Sequence, residues 1–110
     1  MNIDKKANYT LINSDEKDFT VFFKVFSEKI NDLENEHLVI YFSENINTGN
    51  KDFLLFLDIA EQIKENGISF VIVCSYLNSD DFSESINIVP TLLEAEDILE
   101  MEAIERELGF

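Results

Sequence analysis

Two apolar runs separated by one amphipathic segment decide most of what this chain can fold into. Leu38-Val39-Ile40-Tyr41-Phe42 and the stretch from Ile68 to Cys74 are short, continuous and rich in β-favouring side chains. Runs of that kind belong to strands covered on both faces, as in parallel sheets, and are too short for helices. Between them Phe53, Phe56, Leu57, Ala60 and Ile63 recur at helical spacing, and Asn66-Gly67 supplies a stop, because glycine accepts the left-handed backbone that terminates helices. Strand, loop, helix and strand over about 37 residues make a βαβ unit, which predicts a right-handed crossover and two parallel strands. Leu54, Leu55 and Ile59 fall outside the main stripe and call for either a wide buried face or some exposed apolar surface.

The flanking segments add elements on both sides. Residues Ile3 to Ile12 alternate loosely around a turn at Lys6-Ala7-Asn8, which suits one or two short strands at a sheet edge, such as a hairpin with Tyr9 to Ile12 as its second arm. Ser14-Asp15-Glu16 offers an N-cap and first-turn acids for a helix to about Asn31, with Phe19, Phe22, Phe23, Phe26 and Ile30 on one face as core. Tyr76 to Glu84 is polar and reads as a loop. Ile86 to Val89 suits a last strand, stopped by Pro90, and Thr91-Leu92-Leu93-Glu94 is a capping box opening a helix to about Leu108. On that helix Leu92, Ala95, Leu99 and Ala103 share one face. Leu93, Met101, Ile104 and Leu108 spread over another, which either touches the body of the domain or meets a second subunit.

Charge narrows the partners. With 23 acidic against 8 basic side chains the formal net charge is -15, so nucleic acid and anionic membranes would be repelled, while a basic protein patch would be attracted. High charge also keeps a chain soluble without any partner. A hydrophobic share of 45% with ten Phe nonetheless predicts a folded core. No stretch has the apolar length of a membrane span, and Met1-Asn2-Ile3-Asp4-Lys5-Lys6 lacks the apolar core of a signal peptide, which together with a single cysteine predicts a cytoplasmic location.

Residues that carry chemistry are sparse. Cys74 and His37 stand alone and far apart, which leaves no zinc-type spacing; Cys74 reads as core and His37, beside Glu34 and Glu36, as a surface histidine. Phosphate-binding glycine patterns, a nucleophile elbow and a CxxC pair are all missing from the sequence. The loop Asn45-Ile46-Asn47-Thr48-Gly49 has mostly amide oxygens, and Phe56 stands where a calcium loop needs its bidentate Glu. The expectation is no catalytic residue, no metal and no cofactor.

One family resemblance gathers these features. Leu38 to Ser43 matches a buried strand ending in a pattern such as V-L-D-L-S, Gly49-Asn50-Lys51-Asp52 falls without a gap on a D-[ST]-S-G loop, and Phe53 to Leu57 with the stop at Gly67 matches the helix that follows. In this, and in the closing strand, "S-x-x-E-A"-like turn and acidic helix, the chain resembles the STAS domain family of bacterial anti-sigma factor antagonists. The resemblance implies a STAS-like α/β fold over residues 1–110: a mixed four- to five-stranded sheet with a parallel βαβ core and about three helices packed on it. Asn50 or Lys51 replaces the family's phosphorylatable serine, Tyr41 stands where its strand usually has Asp, and the segment after Cys74 is shorter than its third helix. The scaffold and exposed loop are thus implied without the phosphorylation switch, although Ser43 and Thr48 remain as nearby hydroxyls. The closing run from Ile88 to Phe110 also resembles small acidic proteins of the Bacteroidetes group, some labelled ribonuclease Z, an enzyme whose His-rich metal motif a chain with one histidine cannot supply.

The function expected on this basis is a non-enzymatic interaction and regulatory module, monomeric or weakly dimeric. Ser43, Thr48, Gly49, Asn50, Lys51 and Asp52 would meet a protein partner, either anti-sigma factor-like or an enzyme with a basic patch. Two alternatives belong to other classes: a small-ligand carrier with a Phe-lined pocket, and an accessory partner of an enzyme such as ribonuclease Z.

Overall fold

The computed structural model describes residues 1–33, 35–42, 54–75 and 87–109. Its frame is one five-stranded sheet whose strands lie side by side in chain order. β1 (Asn2–Lys5) and β2 (Thr10–Ser14) form an antiparallel hairpin, closed by the Lys6 N–H donating to the Tyr9 carbonyl at 2.8 Å. From β2 onward every neighbour is parallel: β3 (Leu38–Phe42), β4 (Phe70–Val73) and β5 (Asn87–Val89). The mixed sheet and its parallel βαβ core are as expected, with Leu38 opposite Phe70 and Tyr41 opposite Val73.

Strand side chains alternate between two cores, the consequence of the two-residue pleat. Ile12, Leu38, Ile40, Phe42, Phe70, Ile72 and Ile88 point to one face, where helices α1 (Phe19–Leu33) and α2 (Leu57–Glu65) and the turn that precedes α2 cover them with Phe19, Phe22, Phe26, Phe56, Ala60 and Ile63. Leu11, Val39, Val71 and Val73 point to the other, under Ala95 and Leu99 of α3 (Leu92–Glu107). Covering on both faces is why β3 and β4 read as unbroken apolar runs.

Two boundaries differ from expectation. Ser14 does not cap a helix: it is the last residue of β2 and is buried opposite Phe42, while Asp15 and Glu16 bond the Met1 ammonium. The chain enters α1 at Asp18, whose carboxylate accepts the Thr20 N–H at 2.9 Å, and α1 runs on to Leu33. The second hairpin arm is also not a sheet edge, since pairing with β3 buries Leu11 and Ile12 and leaves the edge to β1. Two helix-end signals hold, whereas Phe53 and Ile86 lie outside the described residues and Ala103 is exposed. Gly67, at φ 77°, lets its own N–H reach the Lys64 carbonyl at 3.0 Å and the Ile68 N–H reach the Ile63 carbonyl at 3.1 Å, which ends α2 with paired bonds to its last turn. Thr91 caps α3, accepting the Glu94 N–H at 3.2 Å. The expected loop from Tyr76 to Glu84 lies outside the described residues.

Candidate functional site

The six residues expected to meet a partner, Ser43, Thr48, Gly49, Asn50, Lys51 and Asp52, lie outside the described residues. Their two flanks are described. On one side β3 ends at Phe42, on the carboxyl edge of the parallel strands, the edge at which open α/β sheets place their binding segments. On the other side the chain resumes in a tight 3-10 turn, Leu54–Phe56, that runs straight into α2.

That turn divides its side chains sharply. Phe56 has no exposed surface and makes edge-on contacts with Phe19, Phe23 and Phe26 at centroid separations of 5.6, 5.3 and 5.4 Å. Leu54 and Leu55, next to it, are 52% and 54% exposed. The wide-face alternative for these leucines is therefore not taken, and they stand as an apolar pair in solvent two residues beyond Asp52. The phenylalanines, meanwhile, pack on one another. Phe19, Phe22, Phe26, Phe56 and Phe70 are each at most 1% exposed, so the Phe-rich face is filled core.

A cavity of about 530 Å³ opens instead on the α3 side, among Tyr9, His37, Glu96, Glu100 and Arg106, with Leu99 and Ala103 in its wall. It sits at the amino ends of the parallel strands, because Tyr9 precedes β2 and His37 precedes β3. His37 is half-buried, contrary to its reading as a surface residue, and its Nδ1 accepts the Ser69 N–H at 3.0 Å. Ser69 is itself buried, and its Oγ accepts from Arg106 Nη1 at 3.1 Å, so one serine ties the end of α3 to the starts of β3 and β4. The Tyr9 hydroxyl donates to Glu96 at 3.1 Å, pinning the hairpin to the same helix. No local pattern announces these bonds, which join residues 32, 37 and 87 positions apart.

The chemistry open to this cluster follows from its protons. Burial and the nearby Arg106 charge hold the His37 imidazolium form below its ordinary range, against a smaller opposite pull from Glu102. A neutral imidazole whose Nδ1 accepts an amide carries its proton on Nε2, which leaves that nitrogen a donor with no lone pair to take a proton. Burial and the bond to Glu96 likewise raise the Tyr9 phenol. The groups hold one another and fasten α3, and among the described residues no three His, Cys, Asp or Glu side chains converge as a metal set. Cys74 is buried in the first core, as expected. No helix among the described residues is long and apolar enough to cross a membrane. No protein-family model matches the chain, and no curated protein matches it.

Proposed function

We propose that this protein is a non-enzymatic interaction module of the STAS type, in which residues 43–52 and the 3-10 turn leading into α2 meet a protein partner bearing a basic patch. The observation that carries the reading is the pair Leu54 and Leu55, both more than half exposed at the start of the crossover helix while the adjoining Phe56 is locked in the core. A rigidly anchored turn that leaves two leucines in water is organised for a contact, since exposed apolar side chains set beside each other are what a protein interface buries. The parallel βαβ unit with its glycine stop at Gly67 supports the family resemblance, and the net charge of -15 selects a basic partner over nucleic acid or anionic lipid. With Asn50 and Lys51 at the serine positions of the D-S-S-G pattern, the contact would work without a phosphate switch.

The test compares the wild-type chain with a Leu54→Ser, Leu55→Ser variant as bait in extract of the source cells. The reading expects a protein retained by the wild type and lost by the variant, whose purified form then binds the wild type directly. Equal retention by both baits, or a measured turnover of substrate by the purified chain, would overturn it.

A further inference from the structure

Helix α3 is apolar on two opposite sides, and only one of them is used. At about 100° per residue, Leu93, Met101, Ile104 and Leu108 fall within an arc of about 80°, roughly opposite Ala95 and Leu99, which face the sheet. The four are 69%, 55%, 51% and 66% exposed. Acids border the arc, Glu100 and Glu107 on one side and Glu94 and Glu105 on the other, and Asp97 falls within it between Leu93 and Met101, all of them exposed.

We propose that this outer face of α3 docks a basic amphipathic helix of a protein partner. Met101, Ile104 and Leu108 at helical spacing, with Leu93 one turn beyond Asp97, fit the apolar ridge of another helix, and the charges beside and within the face select the partner's sign, as they do at the borders of paired helices. Seven acids against one arginine on α3 set that sign as negative, so the complementary helix carries Lys or Arg beside its apolar ridge. A second copy of α3 would bring the same acids against these and is disfavoured. This surface lies on the opposite side of the sheet from α2, so it is distinct from the Leu54 and Leu55 contact and does not rest on that reading.

The probe is a fluorescein-labelled synthetic helix with leucines along one face and lysines along the other, read by fluorescence anisotropy at physiological salt. Its control has the same lysines with every leucine replaced by alanine. Met101→Gln with Ile104→Gln removes apolar surface at unchanged charge, and Leu93→Gln with Leu108→Gln does so at the two ends of the stripe. The proposal expects the wild type to bind the leucine peptide at least tenfold more tightly than either variant does, and at least tenfold more tightly than it binds the alanine control. Amide chemical shifts of the wild type should move along α3 and not around Leu54, which keeps the test valid even where a variant folds poorly. Affinities within twofold across proteins and peptides would show charge attraction alone and overturn the proposal. So would shifts confined to another surface, or sedimentation showing a wild-type dimer that the glutamines dissociate.

Discussion

Phe56 joins the exposed turn to the core, and its replacement tests whether the phenylalanine cluster is one unit. It is fully buried and lies within 6.2 Å, centroid to centroid, of Phe19, Phe23, Phe26, Phe42 and Phe70. Phe56→Ala removes a whole ring from a site whose five neighbours belong to α1, β3 and β4 and cannot all collapse inward, so the loss should fall at about 3–5 kcal/mol. Against a total stability of about 5–15 kcal/mol that is enough to leave the variant marginal. Phe56→Leu keeps most of the buried area and forfeits ring geometry, in which edge-on pairs are each worth about 0.5–1.5 kcal/mol beyond area. Rings partly re-form contacts around leucine, so about 1–2 kcal/mol is expected for that change. Urea unfolding followed by circular dichroism measures both, and Val21→Ala, at a position 52% exposed, serves as the control with a change within about 0.5 kcal/mol. A Phe56→Ala loss below about 1.5 kcal/mol with an unchanged urea slope would refute the reasoning, because it would mean that the turn is not anchored through this ring.

Gly67→Ala should cost about 1–2 kcal/mol: beyond the adjoining residues no atom lies within 4 Å of the added carbon, so the loss is that of forcing alanine to φ 77°, and Gly67→Asn should lose less. Thermal unfolding of the three chains checks the ordering, and an alanine variant as stable as the wild type would contradict the assigned helix stop. For His37 the folded state favours the neutral ring. Between its lowered folded value and the ordinary 6.5 the unfolded chain therefore holds a proton that the folded chain lacks. Its contribution to stability is accordingly complete above 6.5 and is lost as the pH falls through that window. An NMR titration should place the imidazole midpoint below 6.5, with the Ser69 amide moving at the same midpoint because a protonated Nδ1 no longer accepts it; a midpoint at or above 6.5 would reject this arrangement.

What could be read from the sequence was what is encoded locally. Leu38–Phe42 and Phe70–Val73 declare themselves because a strand buried on both faces has no polar alternation to hide it, and Gly67 because its conformation is needed by the helix that it ends. Ser14 misled for the complementary reason. A serine before two acids is a good cap in isolation, but here the strand continues through it, and what decides this is β3, which arrives 24 residues after β2 ends. His37 was legible only as a polar residue among glutamates; its partner Ser69 and the arginine behind that serine come from two later elements. Leu54 and Leu55 fall outside the helical stripe, which leaves burial and exposure equally open in the sequence, and in the fold both are exposed.

The acidic surface and the exposed apolar side chains explain each other once their magnitudes are compared. Pairing of two copies would bury Leu93, Met101, Ile104 and Leu108 of each, and at their exposures of 51–69% that brings about 1–2 kcal/mol apiece, roughly 8–16 kcal/mol together, comparable with the about 4–15 kcal/mol that association costs in lost freedom. Homotypic pairing is therefore close to balance, and modest electrostatics decide it. Two such helices about 9 Å apart set carboxylate against carboxylate, each near pair repelling by about 0.5 kcal/mol before screening. Several such pairs tip the balance against self-association, while lysines in the same places reverse the sign and tip it toward binding. The two outcomes respond oppositely to ions: added salt screens repulsion and would promote any pairing of like chains, but it weakens capture of a basic helix. The direction in which a measured complex moves with salt thus identifies the occupant of this face.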